Sequence, residues 1–426
     1  MKTTKIPIYI LVGFNLFTWL IYLSNPFANS VSEMHNYTIL YVLLNILMLY
    51  WGLKQGVKSG NRLNPRRIIS VKTFFKKYMT PLFVFYILTF SLKYAYELRV
   101  PVFDIPALIN RIAMGIASPD LGYALTLSGV QSFPWSLYMM MSIVDGAFFI
   151  IGMLCWDYLS KFQKSILVLL AVIDVLKWFG AGTSFGILQM LSTLLLVYVI
   201  SIKSDQVTRK QIIKYVLVGG VIFIFAITAF GINMEGRSGG TFTDIKETDI
   251  NTGSFFYQYF VSILPKWFQD MYQFIARYLV GGYYNLELAF TTDYDWCFFL
   301  GRNNALTRIA DDFLHIGIEP INLQHKIYQM YGIDPYIYWH SIYTWLANDF
   351  TLFGVPIAVY VIGKLTSMTL MVYTKYNDMV SGVIFILLAN CTIYFFANNN
   401  YLSGHYYVFM GFVIIWLTSR YSFKQR

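Results

Sequence analysis

The chain has 426 residues, of which 57% are hydrophobic, 19% aromatic and only 13% charged. Soluble domains carry about one quarter charged residues, so this composition excludes an ordinary soluble enzyme and describes an integral membrane protein. A formal charge of +10 would suggest nucleic acid in a soluble chain. In a membrane protein Lys and Arg collect in cytoplasmic loops, so the charge reports topology and no nucleic-acid partner is expected.

Lys2 and Lys5 precede an apolar run from Ile6 to Leu23 that is long for a secretory signal and lacks a clear small-residue cleavage site, so it reads as an uncleaved first span. A span needs roughly 20 apolar residues. Further runs of suitable length lie near 37–53, 78–92, 134–156, 165–181, 183–202, 215–233, 350–374, 379–398 and 405–419, which predicts ten spans. With the N-terminus inside, the inner segments 1–5, 54–77, 157–164, 203–214, 375–378 and 420–426 hold 20 of the 32 Lys and Arg. The positive-inside rule then puts both termini in the cytoplasm and the stretch 234–345, between spans 7 and 8, on the outer face. The expected architecture is an all-α polytopic membrane protein, one integral domain over 1–426 with a large, partly helical outer loop.

Between spans three and four, the outer segment Lys93 to Phe133 contains a mildly amphipathic stretch, Ala107 to Ile116, which reads either as a helix lying on the bilayer or as a cap over a cavity. Charge inside spans is expensive and points to a site or an internal pair. Asp174 and Lys177 at i, i+3 can neutralise each other, Asp145 has no obvious local partner, and Lys364 can snorkel. Gly180-Ala181-Gly182-Thr183-Ser184 leaves almost no loop and predicts a tight outer turn. Cys155, Cys297 and Cys391 are scattered, with no spacing that suggests a disulfide framework or a metal site.

The outer loop holds 12 of the 22 carboxylates and three of the five histidines. It opens with Gly236-Arg237-Ser238-Gly239-Gly240, and from Phe255 to Phe299 it packs 17 aromatics into 45 residues. Tyr and Trp favour membrane interfaces and also stack on sugar rings, and both roles fit here. From Lys266 to Val280 the spacing predicts a helix that presents Asp270, Phe274 and Arg277 on one face. Gly281-Gly282 is expected to end it and to let backbone approach a ligand. Arg277 suits a pyrophosphate, because its planar fork gives paired charge-assisted bonds; the alternative is a salt bridge to Asp270. At the far end of the loop, His340 could serve as a general base or be a packed, hydrogen-bonded residue, and Tyr343 could serve as a donor; Asp349 could act on substrate or complement a helix N-terminus.

This pattern resembles the O-antigen and capsule repeat-unit polymerases of the Wzy type. The resemblance rests on the many spans, the large outer loop late in the chain, the element Arg277-Tyr278-x-x-Gly281-Gly282, and the element Tyr343-Thr344-x-x-x-x-Asp349-x-x-x-x-Gly354. It implies a GT-C-like fold in the bacterial cytoplasmic membrane and block transfer of a growing glycan from undecaprenyl pyrophosphate to the end sugar of another lipid-linked repeat unit. Donor and acceptor would both be undecaprenyl-pyrophosphate-linked oligosaccharides, with membrane lipids and a chain-length regulator protein as further partners. Arg277, His340, Asp349 and Asp270 become the catalytic candidates. Arg237, Tyr278, Gly281, Gly282, Tyr343 and Thr344 become the substrate-binding ones. No metal motif is visible, and neither metal nor cofactor is expected. An O-antigen ligase would share this layout. A lipid-linked oligosaccharide flippase would more often show paired halves, and the sequence has no such symmetry.

Overall fold

A computed structural model describes residues 5–28, 32–65, 68–128, 134–183, 185–201, 250–302, 304–335, 338–397 and 406–420. The expected span at 215–233 and Arg237 lie outside the described residues. Among those described, the ordered structure is helical, with isolated bridges at Phe27–Ile250 and Ser70–Asp378 and no strand. The longer helices are α1 (Lys5–Leu23), α2 (Ser32–Arg62), α3 (Val71–Leu98), α4 (Ile105–Ala117), α5 (Pro119–Ser128), α6 (Trp135–Leu154), α7 (Lys161–Gly180), α8 (Phe185–Ser201), α9 (Lys266–Ala289), α10 (Leu323–Tyr331), α11 (Ile342–Tyr376), α12 (Met379–Ile393) and α13 (Tyr406–Arg420).

Three of these, α1, α2 and α11, are long and apolar enough to cross a membrane. The spans expected near 78–92, 134–156, 165–181, 183–202, 379–398 and 405–419 each fall on a helix that is shorter or more polar, so the count of ten rests on the sequence. Asp145 lies on α6, with its side chain outside the described residues.

The seam between α2 and α11 sets the core. Gly52, Gly56 and Gly60 recur every four residues, which stacks them on one face of α2. A side chain on Gly52 would strike the Tyr360 carbonyl, and one on Gly56 the Lys364 carbonyl; Gly363 on α11 meets Leu49 in return. Small residues at such spacing let two backbones approach in an apolar medium, where van der Waals packing replaces the hydrophobic effect. Ser367 Oγ adds a bond to the Leu53 carbonyl at 2.6 Å. α12 is buried all round and fills the middle of the bundle.

α11 is broken near its start. Thr351 has φ 59° and ψ 163°, a left-handed position costly for a β-branched residue. Pro356 cannot donate to the carbonyl four residues back, Leu352. Tyr41 from α2 supplies the missing donor, its hydroxyl reaching Leu352 O at 2.6 Å, and Tyr294 from the loop accepts from Leu352 N at 3.1 Å. The kink therefore has identifiable causes, and aromatic hydroxyls satisfy the backbone groups it exposes.

At the same end of the bundle, α4 turns Ile109 and Ile116 outward and buries Arg111. Arg111 donates to the carbonyls of Leu98 at 3.2 Å, Gly180 at 2.8 Å and Gly122 at 2.6 Å, so one guanidinium caps the ends of α3 and α7 and ties them to α5. The turn after α7 is tight, with Gly182 at φ 65°. Asp174 and Lys177 do pair, at 3.0 Å, but Lys177 also reaches Glu97 of α3 at 2.6 Å, and Tyr94 and Tyr138 donate to Asp174 and Glu97. The pair is part of an interhelical network of at least five residues: Asp174, Lys177, Glu97, Tyr94 and Tyr138.

Candidate functional site

Two parts of the 234–345 stretch, around Arg277 and around His340, meet in the fold. α9 passes beside the segment 338–342 that leads into α11. Asn285 Nδ2 donates to the Trp339 carbonyl at 2.6 Å, and the Ser341 amide donates to Gly282 O at 3.3 Å. Gly282 is the point of closest approach, because a side chain there would strike the Phe396 carbonyl and crowd Ser341 N. The prediction that Gly281-Gly282 ends the helix is corrected: α9 continues to Ala289. Glycine costs about 1 kcal/mol relative to alanine inside a helix, and here packing of bare backbone against bare backbone outweighs it. Gly281 faces open space.

Arg277 is half-buried on α9, and Tyr278 beside it sets its ring edge-on to Trp339 at 5.3 Å between centroids. Asp270 is exposed and pairs with Lys266 one turn back at 2.9 Å. The helix begins next to a run of outward-facing apolar side chains, Phe255, Tyr259, Phe260, Ile263 and Trp267. These side chains face outward from the packed core.

The second element is held by capping, packing and hydrogen bonds. Ser341 caps α11, its Oγ accepting from Thr344 N at 3.4 Å and bonding Thr344 Oγ1 at 3.1 Å. Tyr343 is fully buried, stacked on Tyr283 at 6.2 Å and edge-on to Phe395 at 5.9 Å. Asp349 is 3% exposed and accepts backbone N–H groups from Gly301 and Arg302, each at 3.0 Å. Its neighbour Asn348 donates to Gly301 O at 2.8 Å and Gln324 Oε1 at 2.7 Å, and accepts from Leu323 N at 2.8 Å. Together they fasten the loop to the first turns of α11.

His340 is fully buried, and neither ring nitrogen has a hydrogen-bond partner among the described residues. Burial pushes its imidazolium down to about 3, so the ring is neutral and a weak base.

Sequence reasoning missed the most enclosed carboxylate among the described residues of 234–345. Glu287 on α9 is 1% exposed; the Tyr22 hydroxyl from α1 donates to it, and His35 Nδ1 from α2 lies 3.0 Å away. Tyr283 shares a hydrogen bond with Thr18 of α1 at 3.1 Å just beside it. Three helices thus converge on one carboxylate. The available signal was its place on α9: Glu287 falls ten residues after Arg277, among apolar neighbours that a solvated carboxylate would avoid. Among the described residues no three His, Cys, Asp or Glu side chains converge as metal ligands would. No family model, curated protein or solved structure matches the chain.

Proposed function

We propose that the chain is a lipid-carrier-dependent glycosyltransferase that polymerises undecaprenyl-pyrophosphate-linked repeat units into O-antigen or capsular polysaccharide at the outer face of the bacterial cytoplasmic membrane. The observation that carries this reading is the junction of α9 with the 338–342 segment at the end of the bundle where α1 finishes and α2 and α11 start. A half-buried Arg277 at that depth suits a diphosphate whose polyprenyl tail stays in the bilayer, and the exposed rings of 255–267 suit the same interface.

In this reading an acceptor hydroxyl attacks the anomeric carbon of the donor. The bond from that carbon to the diphosphate oxygen breaks, the diphosphate leaves with the electron pair, and the hydroxyl proton passes to a carboxylate. Arg277 neutralises the departing anion. Of the three candidate bases, His340 is neutral and enclosed, Asp349 is buried and engaged by two backbone donors, and Asp270, paired with Lys266 on the surface, is the one a substrate can reach. Asp270 is therefore assigned the proton. It lies seven residues from Arg277 on the same helix, about 10 Å along the axis, a span over which two side chains can reach one reacting centre.

The test is a lipid-linked glycan ladder in membranes of a polymerase-null bacterium carrying the gene. Arg277→Ala and Arg277→Lys should each lose about 100-fold in ladder formation, because a point charge does not replace a paired fork worth about 3 kcal/mol. Asp270→Asn should also lose it. A full ladder from Arg277→Ala removes Arg277 from the mechanism. Transfer to a terminal acceptor without a ladder moves the reading to a ligase.

A further inference from the structure

The stretch 290–335 took no part in the motifs, yet one turn of it is fastened to the start of α11. Cys297 N donates to Asn348 O at 2.9 Å, Trp296 Nε1 donates to Asp349 O at 2.8 Å, and Phe299 sits edge-on to Phe350 at 5.6 Å between ring centroids. The turn points its own rings outward. Trp296 lies 4.7 Å from Phe298 and 5.3 Å from Phe299, and all three side chains are exposed. Phe298 and Phe299 hold φ at 53° and 64°, two successive left-handed positions that bulky residues rarely adopt. Such strain persists where the surroundings over-determine it, and here the bonds to α11 hold two strained rings away from the core.

The depth of the turn follows from the helices. α1 has 19 residues, about 28 Å at 1.5 Å per residue, which matches a hydrocarbon core of roughly 30 Å. Near its end, Trp19 donates to Ile39 O of α2 at 3.0 Å. α2 and α11 run side by side in the same direction, Tyr41 bonded to Leu352 O and Leu53 O to Ser367, so Phe350 stands level with Ile39 and hence with Trp19. Trp19 precedes Leu23, the last residue of α1, by one helical turn, about 6 Å. The aromatic turn is therefore level with the final turn of a membrane-crossing helix, short of the point where that helix leaves the apolar layer.

α11 carries the same surface onward. Phe353, Ile357 and Val361 recur every four residues on one face and are exposed, Phe353 at 94%, as a stripe in contact with acyl chains would be. That stripe begins three residues after Phe350, on which the turn packs. Asp295, next to Trp296, is neutralised by Lys326 at 2.9 Å. Trp at such a boundary keeps its ring in the apolar layer and its N–H on a polar partner, here Asp349 O.

We propose that residues 296–299 enter the leaflet on the loop's side of the membrane as an aromatic wedge, with the rings of Trp296, Phe298 and Phe299 among phospholipid acyl chains. The loop is then held to the bilayer as well as to α11. Phospholipid is the occupant because the rings continue the lipid-facing stripe of α11 at acyl-chain depth. Contact with lipid does not depend on the polymerase reading.

The test uses the full chain in nanodiscs of phosphatidylethanolamine and phosphatidylglycerol, with a nitrobenzoxadiazole fluorophore on Phe298→Cys or Phe299→Cys. Both positions are exposed, so the core is untouched, and Cys155, Cys297 and Cys391 are buried, so the unsubstituted chain gives the labelling background. Phe353→Cys is the reference in lipid, and Arg62→Cys, at the far end of α2, is the reference in water. Lipid carrying a nitroxide on its acyl chain should quench the fluorophore at 298 and 299 as strongly as at 353, and aqueous iodide should quench it at least threefold less than at 62. Iodide quenching equal to that at 62 overturns the proposal. Shielding from both quenchers, or shielding that arises only when undecaprenyl phosphate is added, gives the surface to a second copy or to the carrier's tail and overturns it as well.

Discussion

Glu287 and Asp349 flank the 290–335 stretch, one before it and one after it, and both are carboxylates with at most 3% exposure. They are held in different ways. Glu287 is gripped by side chains, Tyr22 from α1 and His35 from α2, which come from distant parts of the sequence. Asp349 is gripped by the backbone of Gly301 and Arg302, and Arg302 adds a distant guanidinium at 3.8 Å. A carboxylate held by side chains depends on three residue identities and fixes the register of three helices. One held by amides depends only on itself, since nearly any residue at 301 and 302 brings the same N–H groups. The first lock ties α9 to the membrane helices, and the second ties the loop to α11.

The largest effect that could break this comparison is Asp349→Ala. It strands two buried donors that lose charge-assisted bonds, a cost of about 4 kcal/mol, and it frees the loop. Limited proteolysis in detergent should then cut within 290–335, where the wild type is protected. Protection equal to wild type would show that Asn348 alone holds the loop. Glu287→Ala should cost somewhat less, about 3 kcal/mol, because it leaves a phenol and an imidazole without their buried partner. Its signature differs: the 290–335 loop should stay protected while the bundle unfolds earlier. Glu287→Gln keeps the shape and one acceptor and should recover most of the loss in a chemical unfolding curve. If Glu287→Ala opened the loop as Asp349→Ala does, the two locks would be one.

The difference between these locks also explains what the sequence made legible. Helix positions were readable because apolar runs and their ends are local, and the break at Thr351 falls where the eighth span was expected to start, near 350. The Gly52, Gly56, Gly60 stripe was equally open to view, since spacing by four is a local signal. Pairings were less readable. Asp270 and Arg277 share a face of α9 at i, i+7, but Lys266 lies closer along the helix and takes the carboxylate. Tyr22, His35 and Glu287 meet only because α1, α2 and α9 pack together, and no periodicity links positions so far apart. Gly281-Gly282 was read by propensity as a stop. Tertiary contact with Ser341 and Phe396 overrode that preference, and the same contact is what joins the two halves of the candidate site.

The smallest expected effect concerns the residue between the two locks. His340 follows Trp339, which bonds α9, and precedes the helix that carries Asp349. Its folded value of about 3 lies below the ordinary 6.5, so between those limits the unfolded chain binds a proton that the folded chain refuses. Stability then rises with pH in that window and is lost as pH falls through 6.5 toward 3. Between pH 7 and pH 5 the loss from this one group is about 2 kcal/mol. Unfolding midpoints in detergent should drop over that interval, and the drop should shrink in His340→Phe, which has no proton to accept. An unchanged pH dependence in His340→Phe would mean that the imidazole finds partners in solution and that water enters the junction between α9 and α11.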